Sequence, residues 1–308
     1  MRKKTFSQEN SLLYKGFLLR LFHGKSLSPL TAFFLLPRPL NGLITALSVS
    51  VGALTAIQGP TWQPVLLAAL SAALINGAGN VFNDLIDIDI DRINRPDRPL
   101  PAGHISRLAA GMQTLALTLA GSLCAFWLSP WHGFLALAIA LLLAVYSIFL
   151  KNSLLWGNIL VAGIGAIAFP YGAFAVGDIG RSWIPALFAL LFHIGREIVK
   201  DIEDIAGDRI RGEHTLPLRC GAQNAALIAS FIYILLIATT WIPFFTAIYN
   251  VFYALALLPV NGLVLYVLWQ LHHQRAQLSD DRLGRLLKIG MFSGLLAIVI
   301  GELAFDLN

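Results

Sequence analysis

The distribution of apolar residues predicts a bundle of membrane-spanning helices. Three runs contain no Lys, Arg, Asp or Glu, and they cover residues 39–83, 108–150 and 220–274. Each run is long enough for two spans, since one span takes about 20 residues, and each contains a Pro or Gly-Pro where a turn can separate them. Single spans are predicted near 155–177, 182–198 and 288–306. We therefore expect an all-α polytopic membrane protein with about nine transmembrane helices.

Composition supports this class and excludes several others. The chain is 57% apolar and 13% charged, with a mean hydropathy of +0.71, which is typical of an integral membrane protein. Its net charge of +5 reflects membrane orientation, so it does not indicate nucleic-acid binding. The two cysteines, Cys124 and Cys220, lack the spacing of a metal site.

The basic residues predict how the helices are oriented. With nine spans, 21 of the 22 Lys and Arg residues fall on one side of the membrane, and only Arg181 falls on the other. Because basic residues accumulate on the cytoplasmic side, we expect a cytoplasmic N-terminus. We expect the protein to lie in the cell (inner) membrane, with the acidic clusters described next facing the cytoplasm.

One transmembrane domain is expected over residues 38–308, after a basic segment over 1–37. The first 38 residues lack the short apolar core and the small-residue cleavage site of a signal peptide. Leu12–Leu21 mixes Lys15 and Arg20 with apolar residues. This segment fits either a helix lying in the membrane surface or a disordered basic tail.

Acidic residues are concentrated in two short stretches at predicted helix ends. Of the 17 Asp and Glu residues, five lie in 84–97 and six lie in 197–213. At 100° per residue, one helical face of the first stretch carries a stripe of polar side chains: Asn83, Asp84, Asp87 and Asp91. Asp89 points elsewhere, so it is a poor candidate ligand.

The second stretch repeats this arrangement. Its stripe consists of Glu197, Asp201, Asp204 and Asp208. Glu203 faces away from the stripe, and Gly207 is expected to bend or end the helix. Two facing carboxylate stripes would hold two or three Mg²⁺ ions, because Mg²⁺ takes carboxylate, water and phosphate oxygens. A solvated charged loop is the alternative, but the doubled stripe and its apolar surroundings argue against it.

Basic residues accompany both stripes. Three arginines follow the first, in a segment stiffened by prolines: Arg92, Arg95 and Arg98. Others accompany the second stripe or lie near helix ends: Lys200, Arg209, Arg211, Lys151 and Arg38. Together they suit a diphosphate leaving group. Each one alone is better explained as an ordinary basic residue of the cytoplasmic side or as the partner of a carboxylate.

Three other interpretations fit the residues less well. Asp87-x-Asp89-x-Asp91 begins like an EF-hand, but Arg92 replaces the required Gly and Arg98 replaces the bidentate Glu. An ion-coupled transporter would carry its acids at mid-span, whereas these lie at helix ends. The Asp-Gly-x-x-Ala-Arg signature of CDP-alcohol phosphotransferases is absent from the sequence.

The paired motifs resemble those of the UbiA superfamily of intramembrane prenyltransferases. The first is Asn83-Asp84-x-x-Asp87-x-x-x-Asp91, followed by Arg95-Pro-x-Arg98-Pro-Leu-Pro-x-Gly103. The second is Lys200-Asp201-x-x-Asp204-x-x-x-Asp208. Two shorter matches are Arg38-Pro-Leu-Asn41 and Tyr146-Ser147-x-x-x-Lys151 with Asn158. The likeness covers nearly the whole chain after residue 37.

This resemblance implies an all-helical fold around a central cavity open to lipid. It also implies Mg²⁺-dependent transfer of a polyprenyl chain from its diphosphate to a hydrophobic acceptor, without a nucleic acid or an obligate protein partner. The implied metal-binding and catalytic residues are Asn83, Asp84, Asp87, Asp91, Asp201, Asp204 and Asp208. The implied substrate-binding residues are Arg38, Asn41, Asn83, Arg92, Arg95, Arg98, Tyr146, Lys151, Asn158, Arg196 and Lys200.

The finer resemblance is to the branch of archaeal-type digeranylgeranylglyceryl phosphate synthases, carried by residues 196–208 and Thr215-Leu-Pro217. That branch implies geranylgeranyl transfer to geranylgeranylglyceryl phosphate in ether-lipid biosynthesis. Prenylation of homogentisate or hydroxybenzoate in quinone biosynthesis remains the alternative, although Arg196 stands where some members have the Tyr tied to acceptor binding. A surplus of bases near the cytoplasmic mouth favours an anionic acceptor, unless those bases pair with the clustered carboxylates.

Overall fold

A computed structural model describes residues 28–56, 61–212, 214–273 and 282–303, and the regular elements in these ranges are all helical. In chain order they are α1 (Pro29–Leu35), α2 (Pro39–Leu54), α3 (Trp62–Ile86), α4 (Ile88–Asn94), α5 (Arg107–Leu128), α6 (Pro130–Val145), a π-helical turn (Tyr146–Leu150), α7 (Trp156–Ala175), α8 (Trp183–Arg211), α9 (Leu216–Cys220), α10 (Ala222–Phe245), α11 (Val251–His273) and α12 (Arg282–Leu303).

The long helices confirm the all-α membrane class. Eight described segments have the length and apolar composition of membrane spans: α1 with α2, α3, α5, α6 with its π turn, α7, α10, α11 and α12. The ninth long helix is α8, which is apolar at its start and carries the second acidic motif in its last turns. Only this mixed character separates it from the other eight, so the expected nine helices are a close approximation.

The outer surface is apolar, as a lipid-facing surface must be. Large side chains such as Leu123 and Phe231 are 68% and 70% exposed. Exposed tryptophans at the starts of α3 and α8, Trp62 and Trp183, lie at the helix ends opposite to the acidic motifs. Trp131 at the start of α6 is exposed in the same way. Tryptophan is enriched at membrane–water interfaces, so these residues mark one edge of the apolar layer.

Helices α2 and α7 pack backbone to backbone at two glycines. A Cβ atom at Gly52 would lie 2.0 Å from the carbonyl oxygen of Phe169, and one at Gly172 would lie 1.9 Å from that of Val49. Small residues let membrane helices pack backbone to backbone in this way. The crossing fixes α2, which begins with Arg38 and Asn41, against α7.

Two interruptions between consecutive helices lie at the end of the bundle that carries the acidic motifs. Arg38 separates α1 from α2 in a left-handed conformation with φ of 56°, and the following Pro39 disfavours a helical backbone there. Asp87 separates α3 from α4, so the first acidic stripe is interrupted rather than continuous.

The structure bears on two boundaries that the sequence predicted, one near residue 37 and one at the end of α8. The proposed 1–37 segment lies outside the described residues apart from 28–37, where Leu36 packs in a core cluster with Val81 and Leu100. The boundary at residue 37 therefore stays a prediction. Of the expectation that Gly207 bends or ends α8, the ending is wrong, because the helix continues to Arg211 and is capped by Gly212, whose φ of 68° suits glycine.

Candidate active site

A central cavity of ≈ 420 Å³ lies between α2, α3, α6, α7, α8 and α12. Its deeper walls are apolar, with Ile139, Ile164 and Met291 among the lining residues. At the end that carries the acidic motifs, Glu197 and Glu203 line the cavity together with seven basic residues: Arg38, Arg95, Arg98, Arg196, Lys200, Arg285 and Lys288. A cavity with one charged end and one apolar end suits an amphipathic ligand with a charged head and an apolar chain.

The carboxylates of the first motif are buried beside arginines. Asp84 and Asp91 are only 3% and 4% exposed. Arg38 forms an ion pair with Asp84, and Arg98 bridges both acids, at 3.3 Å from Asp84 and 2.5 Å from Asp91. Because buried carboxylates require compensation, these arginines hold the motif together.

Asp87 has a separate cationic partner. Lys151, which follows the π-helical turn, forms an ion pair with it. The amide of Asn83 donates to the same carboxylate at 2.8 Å, and the hydroxyl of Ser147 donates to the Asn83 side-chain carbonyl at 3.4 Å. A π turn of this kind is frequent at functional sites. Here it brings Ser147, within the turn, and Lys151, directly after it, to the first motif.

The second motif is held by hydrogen bonds and by one longer ion pair. The amide of Asn158 donates to Asp201 at 2.8 Å, and Arg95 lies 3.6 Å from the half-exposed Asp204. The hydroxyl of Thr215 donates to the buried Asp208 at 3.4 Å. Burial raises the pKa of Asp201 to about 7, although the hydrogen bond from Asn158 opposes this shift. A bound cation would favour the ionised carboxylate in the same place.

Glu197 lies one turn before this motif and is held by two bases. Arg196 contacts it at 2.6 Å and Lys200 at 3.3 Å. Glu197 is only 5% exposed, so both bases are engaged with a buried carboxylate. The interpretation that the basic residues pair with acids is therefore supported at Arg38, Lys151, Arg196 and Lys200.

The remaining sequence-predicted residues divide into two groups. Asn41 and Tyr146 line the cavity. Arg92 does not reach it, because its exposed side chain pairs with Asp89 at 2.8 Å on the outer face of α4. Asp89 points away as expected and is 72% exposed. Arg209 is also exposed, and the side chain of Arg211 lies outside the described part of the chain.

Glu203 has a role that helical spacing alone did not reveal. Its carboxylate accepts hydrogen bonds from the backbone N–H groups of Leu283 at 2.9 Å and Gly284 at 3.2 Å. These are the first turns of α12, so Glu203 caps a helix about 80 residues further along the chain. The capping fixes α12 against the second motif.

Sequence reasoning also missed two bases on α12. Arg285 and Lys288 line the basic end of the cavity, and Lys288 donates to the side-chain carbonyl of Asn41 at 3.2 Å. The available signal was the position of both residues at the start of the last apolar helix, where a base facing the bundle needs a polar partner.

The donor set fits a hard divalent cation. The two motifs offer carboxylate and amide oxygens, which Mg²⁺ prefers, on two helix ends beside one cavity. Among the described residues, no three Asp, Glu, His or Cys side chains are already gathered as a metal site. Arg38, Arg98 and Lys151 instead stand between the carboxylates, so metal binding must displace some of these ion pairs.

Comparison with known proteins decides the family. The model of the UbiA prenyltransferase family matches residues 43–294, which include both acidic motifs. The chain belongs to the UbiA prenyltransferase family. It is therefore a prenyltransferase and an integral membrane protein, which confirms the resemblance found in the sequence motifs.

Individual UbiA proteins refine the comparison. Over 273 residues the chain is 35% identical to the digeranylgeranylglyceryl phosphate synthase of Thermococcus kodakarensis, covering 88% of this chain and 98% of that one. A solved structure of a digeranylgeranylglyceryl phosphate synthase superposes with a TM-score of 0.71 at 28% identity, covering 89% and 98%. A UbiA homologue from Archaeoglobus fulgidus, solved with DMAPP and Mg²⁺, shares the fold at 18% identity, a TM-score of 0.61 and coverage of 87% and 99%.

Proposed function

We propose that this protein transfers a geranylgeranyl group from its diphosphate to the hydroxyl of geranylgeranylglyceryl phosphate, with Mg²⁺, as a step in ether-lipid biosynthesis. The observation that carries the proposal is the pair of carboxylate motifs at the basic end of a cavity with apolar deeper walls. Support comes from the similarity to digeranylgeranylglyceryl phosphate synthases, at 35% identity over most of both chains.

The cavity orients a prenyl diphosphate by its two chemical halves. The diphosphate would lie at the end lined by Arg95, Arg98 and Lys200, and the prenyl chain would lie along Ile139 and Ile164. The related A. fulgidus protein has been solved with DMAPP, which is a short prenyl diphosphate, and with Mg²⁺. The same class of ligand is proposed for this chain.

The acidic motifs would hold the metal. The proposed ligands are Asn83, Asp84, Asp87, Asp91, Asp201, Asp204 and Asp208. When bound, Mg²⁺ neutralises the diphosphate and makes it a better leaving group. Arg95, Arg98 and Lys200 donate charge-assisted hydrogen bonds to the phosphate oxygens and stabilise the charge that develops on them.

The deeper cavity protects the reactive carbon. As the C1–O bond to the diphosphate breaks, C1 becomes an allylic cation, and the apolar walls exclude the water that would capture it. The rings of Tyr146 and Tyr171 also line this cavity, where an aromatic ring favours a nearby cation. The diphosphate leaves with the electron pair of the broken C1–O bond, and the acceptor hydroxyl oxygen then forms the new C–O bond to C1 and passes its proton to the released diphosphate.

An acceptor assay tests this function. Purified protein is incubated with Mg²⁺ and labelled geranylgeranyl diphosphate, and glyceryl-phosphate and aromatic acceptors are offered in parallel. Product masses corresponding to digeranylgeranylglyceryl phosphate are expected. Efficient prenylation of an uncharged phenol, with glyceryl phosphates left unused, would contradict the proposed acceptor and leave the prenyltransferase activity intact.

We further propose that the site opens to the cytoplasm, because 21 of the 22 basic residues segregate to its side in the nine-span arrangement. Single cysteines at the exposed positions Ala102 and His214, in a background lacking Cys124 and Cys220, should react only with a reagent on the cytoplasmic side. A cysteine at Thr246, exposed in the turn after α10, should show the opposite pattern. Labelling of Ala102 or His214 positions from outside would overturn the orientation.

A further inference from the structure

A deep pocket of ≈ 80 Å³ continues the central cavity away from the acidic motifs. Four residues line both spaces and so form the junction between them: Ile44, Ser48, His193 and Met291. Along α8 the lining of the deep pocket runs back from His193 to Pro185, and along α12 it runs forward from Gly290 to Ile298. The second acidic motif lies at the end of α8 and beside the start of α12, so both directions lead further into the apolar layer.

The walls of the deep pocket suit a hydrocarbon. Phe188 and Leu236 are among the apolar side chains that line it. Three hydroxyl groups of the lining each donate to a backbone carbonyl oxygen: those of Ser48, Thr240 and Tyr253. These hydroxyls are satisfied within the protein, so they do not call for a polar ligand.

The central cavity is too small for a whole geranylgeranyl diphosphate. An apolar cavity of about 150 Å³ takes one benzene molecule, so the central space takes roughly three groups of that size in its ≈ 420 Å³. Four isoprene units and a diphosphate are larger than this. A prenyl chain whose diphosphate lies at the acidic motifs must therefore extend beyond the central cavity, and the deep pocket continues it in the required direction.

Two glycines of α12 leave room in the deep pocket. Gly290 and Gly294 lie one turn apart and both line it. A Cβ atom at Gly290 would lie 3.2 Å from the ring of Phe192, whereas one at Gly294 would meet no atom within 4 Å. The space beside Gly294 is therefore open to a ligand, and a larger side chain at this position would fill it without a backbone clash.

We infer that the deep pocket holds the far end of the donor's prenyl chain, and that Gly294 lets it accept a geranylgeranyl chain; this inference rests on the proposed function. The donor is the substrate whose chain starts at the acidic motifs and runs toward the junction. A shorter chain leaves the deep pocket without its occupant, so it forgoes the burial of its last isoprene unit. The pocket thereby selects donors by length.

Donors of different length test this selection. Wild type and Gly294→Leu are assayed with farnesyl and with geranylgeranyl diphosphate, at saturating geranylgeranylglyceryl phosphate. The preference for geranylgeranyl diphosphate, as a ratio of kcat/KM values, should fall about 10-fold or more in the variant, since an apolar pocket discriminates by at least this factor for a single methylene. The kcat/KM for farnesyl diphosphate should change little. An unchanged ratio, or an equal fall with both donors, would overturn the inference.

Two further variants bracket this result. Gly262→Leu makes the same exchange at an exposed position of α11 outside the pocket, and it should leave the ratio unchanged. Asn261 lines the pocket, and its Nδ2 has no hydrogen-bond partner among the described residues. Asn261→Leu should therefore raise the ratio, because an unpaired amide disfavours an apolar neighbour. A fall in the ratio with either variant would count against an apolar chain end in this pocket.

A binding measurement separates the inference from turnover. A cysteine at Gly294, in a background lacking Cys124 and Cys220, is labelled with an apolar thiol reagent. Geranylgeranyl diphosphate with Mg²⁺ should slow the labelling, whereas farnesyl diphosphate should slow it much less and geranylgeranylglyceryl phosphate alone should not. Protection by the acceptor alone, by both donors equally or by neither would overturn the inference. Protection by geranylgeranyl diphosphate without product formation would instead overturn the proposed acceptor and leave the inference standing.

Discussion

The two acidic motifs are built from similar residues, but their charges are balanced differently. In the first, each buried carboxylate has a cation from another part of the chain: Arg38 and Arg98 for Asp84, Lys151 for Asp87. In the second, the described contact of Asp201 is an amide hydrogen bond at 2.8 Å, and Asp204 is half-exposed with Arg95 at 3.6 Å. The first motif is held by close ion pairs, whereas the ion pair described at the second, from Arg95 to Asp204, spans 3.6 Å.

This difference indicates a division of labour in binding. A cation entering the first motif must displace Arg98 or Lys151, whereas Asp204 in the second motif is half-exposed and its ion pair with Arg95 is longer. Displaced side chains would become available to the diphosphate that arrives with the metal. We therefore expect metal binding and diphosphate binding to be coupled, with the second motif providing the initial attraction.

Metal removal should have the largest effect, because it abolishes the function of both motifs together. Chelation with EDTA should eliminate prenyl transfer, and added Mg²⁺ should restore it. Product formation from labelled geranylgeranyl diphosphate measures this directly. Full activity in the presence of excess chelator would contradict the proposed metal role, while loss of activity without recovery on adding Mg²⁺ would indicate unfolding.

Loss of a single carboxylate should be nearly as severe. Asp87→Ala and Asp204→Ala should each lower kcat by about 10²–10³-fold or more, the range for removing one group that stabilises transition-state charge. Asp89→Ala is the matched control in the same segment, because Asp89 is 72% exposed and pairs only with surface arginines in the described contacts. Near-normal turnover in both Asp87→Ala and Asp204→Ala would refute the two-motif site.

Removing one cation of the first motif, Lys151, should have an effect of intermediate size on prenyl transfer. Lys151→Met leaves the buried Asp87 carboxylate with the hydrogen bond from Asn83 but without the ion pair to Lys151. We expect the KM for the prenyl diphosphate to rise about 10-fold, as for loss of one charged hydrogen bond, and more than the KM for the acceptor. If Lys151 instead bound an anionic acceptor, the KM for the acceptor would rise more, so steady-state kinetics with each substrate varied in turn decides between the two roles.

The smallest effect on turnover is expected at Glu203, where the change is mainly in stability. Glu203→Ala removes the acceptor for two backbone N–H groups of α12 and should lower the free energy of unfolding by about 1–3 kcal/mol. Glu203→Gln keeps one side-chain carbonyl and should lower it less. Thermal unfolding in detergent measures both variants, and equal stability of Glu203→Ala and wild type would exclude the cap.

Local patterns were sufficient to predict the helices and the two acidic stripes. Span length and helical periodicity depend on neighbouring residues, so Asp84, Asp87 and Asp91 could be placed together from spacing alone. The outward position of Asp89 followed from the same geometry. These features need no knowledge of which helices pack together.

Features that depend on distant packing could not be predicted. The choice between free and paired bases was open until the structure placed Lys151 beside Asp87. Glu203 was assigned no role, since its partners are backbone N–H groups of a helix 80 residues away. Arg92 was grouped with Arg95 and Arg98 by sequence proximity, yet the short helix α4 turns it toward Asp89 and the surface.

The crossing of α2 and α7 makes the site vulnerable to changes far from the chemistry. Gly52 and Gly172 bring the two backbones together near one end of the bundle, and Arg38 lies 14 residues before Gly52, or about 20 Å along the helix. An added methyl group at the crossing would push α2 away from α7 and would displace the end of α2 that carries Arg38. Substitutions of Gly52 or Gly172 can therefore impair the site, although both residues lie at the opposite end of the bundle from Arg38.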